Sequence, residues 1–317
     1  MFGSMGLKFS NLYLSLIDSM EILENHNLSD YTSWKVGGNA HYYCRPQSIE
    51  DIHLAIRKAC EKSWPIRVLG GGTNVLISDR GVSGLVLHTC DFNKVDFHIE
   101  ENDLLITSQA GAAKSEVLKV FLKHRLEPAV FLAGLPGDMA GGVVMNAGVG
   151  HRGTPKDFGE IFRDMRVLTW DDQGMVQEKT FTKEQLQWSY RKTQGWQPGI
   201  IVEVRVQWPL QPDDSVLERV REGNKRRKST QPLQQPSCGS VFKNPDGNHA
   251  GRLIETAGLK SYQDGGAQVS EKHGNFIVNT GDATASEIDR VIRHVQSVVK
   301  QKSNIELTNE VVYFGDW

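Results

Sequence analysis

The chain has 317 residues, 39% of them hydrophobic and 23% charged, and its formal net charge is -2 at pH 7. This length allows two or three domains, and the near-neutral charge argues against bulk binding to nucleic acid or to a membrane surface. The sequence contains no apolar run near the roughly 20 residues of a transmembrane helix and no signal-peptide pattern, so we expect no membrane insertion. The four cysteines form no C-x-x-C pair, which favours reduced thiols in a cytoplasmic protein without a metal site.

The first predicted domain covers residues 28–88 and alternates helix with strand. Ser48 and Asp51 have the spacing of a capping box, and apolar residues follow at helical intervals. Short apolar runs then predict strands at 66–69, 75–77 and 85–87. We interpret residues 1–27 as an N-terminal extension whose first six residues are unstructured.

The second predicted domain covers residues 89–210 and mixes strands with helix. Strand-like runs lie at 104–107, 166–170 and 201–208, and a helix is predicted over 114–124. A glycine-rich stretch at 133–150 lies between them. The pattern indicates an α+β domain.

The third predicted domain covers residues 211–317. A helix begins after Pro212-Asp213-Asp214 and runs to about Lys228, and a strand is predicted at 276–279. Thr284 and Glu287 form a second capping box, before a helix with a buried apolar stripe. The chain closes on a strand at 311–314, which predicts a smaller α/β domain.

The first chemical motif is a glycine-rich loop directly after a predicted strand. Gly70, Gly71 and Gly72 allow close approach of the backbone to a ligand, and successive N–H groups can form an anion-binding nest. Thr73 and Asn74 add side-chain donors. The spacing is neither that of the Rossmann fingerprint nor that of a Walker loop. Taken alone, the motif is also compatible with a plain tight turn.

The second chemical motif is the glycine-rich run at residues 134–148. Many glycines beside apolar residues are costly in a core unless the backbone must pass something closely, such as a pyrophosphate or a flavin ring. Two such loops in neighbouring domains suggest a dinucleotide between them, although two unrelated turns remain an alternative. The candidate contacts are Gly134, Pro136, Gly137, Gly142 and Asn146.

The third chemical motif is a polar loop at residues 236–245. Ser240 lies on a turn after Gly239 and before Lys243-Asn244. It lacks the G-x-S-x-G elbow of a hydrolase nucleophile. A hydroxyl held by its neighbours can donate a proton instead, while an ordinary turn hydroxyl is the alternative.

Taken together and in this order, these segments resemble the UDP-N-acetylenolpyruvoylglucosamine reductase (MurB) family. The resemblance runs from about residue 28 to the C-terminus and is closest to the shorter branch of the family. It rests on residues 32–38, 69–77, 134–148, Ser189-Tyr190-Arg191, 237–245, 265–270 with Lys272-His273, and Asn309-Glu310-Val311.

The resemblance implies an α+β fold: a two-domain FAD-binding unit of the vanillyl-alcohol-oxidase (PCMH) type, followed by a C-terminal α/β substrate domain. FAD would bind without a covalent link across the first two domains, and NADPH would supply hydride. The expected reaction reduces UDP-N-acetylglucosamine enolpyruvate to UDP-N-acetylmuramate in peptidoglycan precursor synthesis. The family also suggests a cytoplasmic monomer.

The resemblance assigns roles to individual residues. Arg191 matches the cation that stabilises negative charge on the substrate carboxylate, Ser240 the proton donor, and Glu310 the catalytic Glu near the C-terminus. A guanidinium stays charged at any working pH, whereas a buried Glu can stay neutral and donate a hydrogen bond. Arg227 matches an arginine near the flavin. The candidate substrate contacts are Tyr190, Lys243, Asn244 and Gln268.

The sequence departs from the family pattern at three positions. Tyr31 stands where a His is usual, and we expect it to alter a detail at the flavin edge without abolishing binding. Asp138 replaces a small residue near the expected phosphates, which would repel a carboxylate unless it points away. Val312 stands where a basic residue is common.

Two other functions stay open from the sequence. An FAD-dependent alcohol or sugar-lactone oxidase of the same flavin superfamily would need a base near the flavin and would react with oxygen. A non-catalytic flavin or UDP-sugar binding protein would keep the glycine loops but would tolerate loss of Arg191, Ser240 and Glu310. All three of these residues are present.

Overall fold

The computed structural model describes residues 20–149 and 156–317. Its helices are α1 (Ile49–Glu61), α2 (Lys114–Lys123), α3 (Pro128–Leu132), α4 (Met139–Val144), α5 (Phe158–Ile161), α6 (Val216–Thr230), α7 (Ala250–Thr256) and α8 (Ala285–Ser303). Its strands are β1 (Ile22–Asn27), β2 (Asn39–Cys44), β3 (Ile66–Leu69), β4 (Val75–Ile77), β5 (Val82–His88), β6 (Val95–Glu100), β7 (Asp103–Gln109), β8 (Phe162–Trp170), β9 (Val176–Thr182), β10 (Gln187–Ser189), β11 (Lys192–Gln194), β12 (Ile200–Pro209), β13 (Gln263–Asp264), β14 (Ala267–Val269), β15 (Ile277–Asn279) and β16 (Val312–Phe314). Across the described ranges, each helix is too short or too polar to cross a bilayer.

The first unit is a four-stranded sheet in the order β1-β2-β5-β3. Ser48 caps α1 through the predicted capping box, and the apolar face of this helix packs on the sheet. β1 pairs antiparallel with β2, so residues 22–27 belong to this sheet although we had placed them in the N-terminal extension. The first 19 residues of that predicted extension lie outside the described part of the chain.

The second unit is a five-stranded antiparallel sheet in the order β6-β7-β12-β8-β9. Helices α2 to α5 cover one face of this sheet and bury a single apolar core. Val216 and Val220 of α6 lie in the same core, one helical turn apart. α6 therefore packs on the second unit, although we had placed it in the third domain from its position in the sequence.

The third unit has a three-stranded sheet, β13-β14-β15, against which α8 packs. The predicted capping box at Thr284 is confirmed, and the stripe of α8 is buried as predicted. Trp34 joins this core from the N-terminal motif, and its Nε1 donates to the Ile277 carbonyl at 2.7 Å. Asn279 donates in return to the Trp34 carbonyl at 2.9 Å.

The sequence predicts that the final strand belongs to the third unit, but the strand pairs with the first unit. β16 pairs in parallel with β4 of the first unit, from Val312 opposite Val75 to Phe314 opposite Ile77. β4 is a three-residue strand that lies outside the first sheet. It therefore needs another strand to satisfy its backbone groups, and the C-terminus supplies one.

The segment at residues 78–83, a loop that runs into the start of β5, joins the first unit to the third. The carboxylate of Asp79 accepts hydrogen bonds from the Ala285 and Ser286 amides at 2.9 and 2.8 Å and from the Ser286 hydroxyl at 2.6 Å. Thr284 accepts the next amide, that of Glu287. The amides at the start of α8 are therefore satisfied partly by a residue more than 200 positions earlier in the chain.

This cap predicts a measurable loss of stability. We expect Asp79→Ala to lower the free energy of unfolding by about 1–2 kcal/mol, as for other lost helix caps. The matched control is Asp282→Ala, because Asp282 is exposed and its side chain makes no hydrogen bond within the described residues. Urea unfolding should separate the two variants, and equal losses would contradict the assignment.

Candidate active site

A cavity of about 1450 Å³ lies where the three units meet. It exceeds the roughly 300–1000 Å³ of an ordinary small-molecule site, so it has room for a dinucleotide and a second ligand. Most of the predicted site residues line it: Gly70, Gly71, Gly72, Thr73, Asn74, Gly134, Pro136, Tyr190, Arg191, Arg227, Ser240, Asn244 and Glu310. Gly137, Gly142, Asn146, Lys243 and Gln268 are not among its lining residues.

The first glycine loop is shaped by close packing against its own chain. Gly72 has φ +62°, and a Cβ there would lie 1.8 Å from the carbonyl oxygen of Tyr31. The Ser33 amide donates to the Gly72 carbonyl at 3.0 Å. Tyr31, one of the departures from the family pattern, therefore contacts this loop through its backbone carbonyl. Any residue at this position can make that contact.

The same loop offers an anion-binding backbone. The amides of Gly72, Thr73 and Asn74 donate no hydrogen bond to any described residue, yet all three residues border the cavity. Unpaired amides are rare in folded proteins, and three in succession form a nest suited to a phosphate. These residues therefore fit the pyrophosphate of FAD.

Asp138 bonds the amide that directly precedes this nest. Its carboxylate accepts hydrogen bonds from the Gly141 amide at 2.6 Å and from the Gly71 amide, so it caps α4 and ties the second glycine loop to the first. Lys114 lies beside it, with Nζ donating to the Pro136 carbonyl at 2.7 Å. The two amide bonds give this carboxylate a structural role at the junction of the two loops. Burial lowers the pKa of Lys114 to about 8, and nearby Asp138 opposes that shift.

Three predicted cofactor contacts in the second glycine run pack closely against the protein itself. A Cβ at Gly137 would lie 2.5 Å from Thr73 Oγ1, and one at Gly142 would lie 2.4 Å from the Phe158 ring. Asn146 is buried, donates to the Ser189 carbonyl at 3.1 Å and accepts from an amide at 2.9 Å. It therefore holds the β10–β11 hairpin in place.

Arg191 lies in the turn of that hairpin. Its φ of +56° is the left-handed region, which an arginine adopts only when its surroundings impose it. Its Nε donates to Glu310 Oε1 at 2.6 Å. Within the described ranges its Nη atoms make no hydrogen bond, which leaves two donors for a ligand carboxylate.

Glu310 contacts all three units. Its amide donates to the Val241 carbonyl at 2.7 Å, its carbonyl accepts from Asn74 Nδ2 at 3.0 Å, and its carboxylate accepts from Arg191. Burial raises the pKa of the Glu310 carboxyl, and the positive charges of Arg191 and Lys243 only partly oppose this. The site therefore favours a protonated Glu310 more than water does.

Ser240 borders the cavity, and its loop is fixed from two sides. Asn275 brackets the next residues: its carbonyl accepts from the Val241 amide at 2.9 Å, and its side chain makes hydrogen bonds of 3.0 and 2.8 Å to the Phe242 backbone. The Glu310 amide holds the other side. Asn275 was missed from the sequence because it directly precedes the strand predicted at 276–279 and belongs to none of the chemical motifs.

Two of the predicted substrate contacts meet at the cavity. The Tyr190 ring stacks on the Arg191 guanidinium at 5.0 Å, and its hydroxyl lies 3.5 Å from the Asn244 amide. Lys243 does not line the cavity, although its charge acts on Glu310. Gln268 lies on β14 and donates to Gln263 Oε1 at 3.0 Å, which places it in a different hairpin from the other candidates.

Arg227 supplies a cation on the side of the second glycine run. Its guanidinium donates to the Ala133 carbonyl and to Gln231 Oε1, both at 3.3 Å, and it pairs with no described carboxylate. Burial lowers its pKa. A half-buried cation without a carboxylate partner fits an anionic ligand. Within the described residues, no group of three His, Cys, Asp or Glu side chains is arranged to hold a metal.

Comparisons with known proteins agree with this geometry. Residues 231–314 match the profile of the UDP-N-acetylenolpyruvoylglucosamine reductase C-terminal domain, and residues 40–178 match that of an FAD binding domain. The chain is 37% identical over 300 residues to the UDP-N-acetylenolpyruvoylglucosamine reductase of Moorella thermoacetica, covering 94% of both chains. The chain belongs to the UDP-N-acetylenolpyruvoylglucosamine reductase (MurB) family.

Further relatives support this membership. The reductase of Staphylococcus haemolyticus is 36% identical over 304 residues, covering 95% of both chains. The crystal structure of MurB from Thermus caldophilus aligns with a TM-score of 0.74 and 30% identity, covering 93% of this chain and 98% of that one. The predicted fold class, FAD-binding unit and enzyme class are thereby confirmed.

The position of Asp138 predicts the effect of its removal. Asp138→Ala should lower the free energy of unfolding by about 1.5–3 kcal/mol, since two amides lose a charged acceptor, and should weaken FAD binding at least about tenfold. Asp157→Ala is the control, because Asp157 caps α5 without a side-chain hydrogen bond. FAD titration and urea unfolding measure both effects. Unchanged FAD affinity would show that the bridge between the loops does not support the cofactor site.

The raised pKa of Glu310 predicts a pH dependence of stability. The folded state holds this proton more tightly than the unfolded state, where the pKa is about 4.3, so this residue's contribution falls as pH rises from there through its folded-state pKa. Urea unfolding between about pH 4 and 8 should show Glu310→Gln gaining stability relative to the unsubstituted protein as pH rises. A gap that stays constant across this range would contradict the raised pKa.

Proposed function

We propose that this chain reduces UDP-N-acetylglucosamine enolpyruvate to UDP-N-acetylmuramate, as the names of its relatives suggest. The observation that carries the proposal is the convergence of Arg191, Glu310 and the Ser240 loop at one cavity that also borders both glycine loops. When bound, FAD accepts hydride from NADPH and supplies it to the enolpyruvyl double bond. The remaining work, which is charge stabilisation and proton transfer, falls to these three residues.

Arg191 binds and polarises the substrate carboxylate in this proposal. Hydride addition at the terminal methylene pushes negative charge toward the carboxylate, and a fixed guanidinium stabilises that charge without rearrangement. The Nε atom is held by Glu310, which leaves the Nη edge to form two parallel bonds to the carboxylate. Asn146 supports the hairpin of Arg191, and the contact of Nε with Glu310 holds the guanidinium at the cavity.

Glu310 and Ser240 handle protons. A protonated Glu310, favoured by its burial, donates a hydrogen bond to the charge that develops on the substrate. The Ser240 hydroxyl then gives its proton to the carbon next to the carboxylate, which completes the lactyl ether. A serine is a very weak acid, so this transfer depends on a hydroxyl fixed against the intermediate, and the bracketing of its loop by Asn275 and Glu310 supports that.

The proposal extends to the cellular setting. The product is a peptidoglycan precursor, so the activity would serve cell wall formation and, through it, cell shape and division. Both ligands are soluble nucleotides, which fits a cytoplasmic monomer that binds no nucleic acid. Tyr190 and Asn244, which meet at the cavity, support recognition of the UDP-sugar.

Anaerobic stopped-flow absorbance tests the proposal. NADPH should bleach the protein near about 450 nm, and UDP-N-acetylglucosamine enolpyruvate should restore the colour, whereas UDP-N-acetylglucosamine should not. Ser240→Ala should slow only the second step, by about 10²–10⁴-fold, because general acid catalysis contributes that much. Ser297→Ala is the control, since Ser297 is an exposed residue of α8 whose hydroxyl makes no hydrogen bond within the described residues.

Other outcomes would contradict the proposal. Recolouring by oxygen but not by the enolpyruvyl compound would indicate an oxidase. Protein that purifies colourless and binds no added FAD would exclude flavin chemistry. An equal slowing of both steps in Ser240→Ala would remove the proton-donor role.

A further inference from the structure

The chain beyond Glu310 is bound to the first unit, not to the domain that precedes it. The Val312 amide donates to the Asn74 carbonyl at 3.0 Å. Two residues earlier, the Glu310 carbonyl accepts a hydrogen bond from the Asn74 side chain. β16 then pairs with β4. Glu310 therefore stands at the start of a segment whose position is fixed by the unit that carries the first glycine loop.

Asp316 fastens the end of that segment. Its Oδ2 accepts hydrogen bonds from the Ser83 amide at 3.1 Å and from the Ser83 hydroxyl. Its own amide donates to the Gly81 carbonyl at 3.0 Å, and its carbonyl accepts from the Ser78 hydroxyl. The backbone amide, the backbone carbonyl and the carboxylate of Asp316 are therefore all hydrogen-bonded to residues 78–83.

The fit at this end is tight. Gly315 has φ +97°, and a Cβ there would lie 2.3 Å from the Gly81 carbonyl oxygen. The Ser78 amide also donates to the Phe314 carbonyl at 2.9 Å. A strand of three residues would slip easily on its own, so these contacts of residues 314–316 set its register against β4.

We propose that Asp316 is a positioning residue for the reaction, which acts through β16 to hold Glu310 against Arg191 and the Ser240 loop. Loss of its carboxylate removes two of the four hydrogen bonds that Asp316 makes with described residues and loosens the end of β16, so that Glu310 samples positions in which its carboxyl no longer meets the developing charge. The binding of FAD and the delivery of hydride to it do not use Glu310 and should be spared. This inference rests on the function proposed above.

The two half-reactions separate this role from a general loss of structure. In the FAD-loaded enzyme, Asp316→Ala should slow reoxidation by the enolpyruvyl substrate about tenfold, while reduction by NADPH stays within about twofold. Asp316→Asn should restore most of the rate, because both Ser83 donors meet one oxygen that an amide also provides. Ser83→Ala, which keeps one of the two donors, should be intermediate and replaces Asp316→Ala if that variant loses FAD.

A double substitution tests whether the effect passes through Glu310. In a Glu310→Gln background, Asp316→Ala should change reoxidation by less than about twofold, since coupled residues are not additive. An undiminished tenfold effect there, an equal slowing of both half-reactions, or no effect of Asp316→Ala would overturn the proposal.

Hydrogen exchange tests, without an activity measurement, whether the Asp316 carboxylate holds β16 in place. Asp316→Ala should lower the protection of the amides in residues 308–316 about tenfold or more and leave those of α8 unchanged. Unchanged protection of these amides would overturn the proposal that Asp316 holds β16. If the unsubstituted enzyme fails to reduce the enolpyruvyl compound, the proposed function is wrong. The exchange experiment still reports whether Asp316 holds β16.

Discussion

Glu310 is held by hydrogen bonds to three separate parts of the chain, and the active site depends on that junction. The serine loop binds its amide, Asn74 binds its carbonyl, and Arg191 binds its carboxylate. No single unit could assemble these groups, because each contributes one partner. The cavity exists where the three units meet, so the fold and the site share one constraint.

The groups at this junction also determine which charges face the cavity. The acidic groups at its edge are already bonded, Asp138 by two amides and Glu310 by Arg191. Arg227 and the Nη edge of Arg191 pair with no carboxylate in the described ranges, and the amides of Gly72, Thr73 and Asn74 donate to no described residue. What remains open in the cavity is therefore positive or hydrogen-bond donating, which suits ligands with phosphates and a carboxylate.

Sequence reasoning found the local elements because local rules determine them. The caps of α1 and α8 and the strands at 66–69 and 75–77 follow from residue spacing. The same reasoning misplaced α6 and β16, since neither packs against its neighbour in sequence. α6 buries only two apolar residues and β16 has only three residues, so neither segment carries a signal for the unit that it packs against, and the same holds for β1.

The candidate site shows the same division. Arg191, Ser240 and Glu310 lie in recognisable motifs and do meet at the cavity. Asn146 was grouped with the cofactor contacts because its motif borders them, yet its side chain supports the hairpin of Arg191. Asn275 and Asp316 act on the site through backbone contacts, and such contacts leave no trace in residue spacing.

A crystal structure of the enzyme with FAD and UDP-N-acetylglucosamine enolpyruvate tests the central claim most directly. The account predicts the substrate carboxylate within about 3 Å of the Arg191 Nη atoms, with the Ser240 hydroxyl on the adjacent carbon and the Glu310–Arg191 contact retained. A carboxylate bound elsewhere in the cavity, or a Glu310 displaced from Arg191 and from the Ser240 loop, would contradict it.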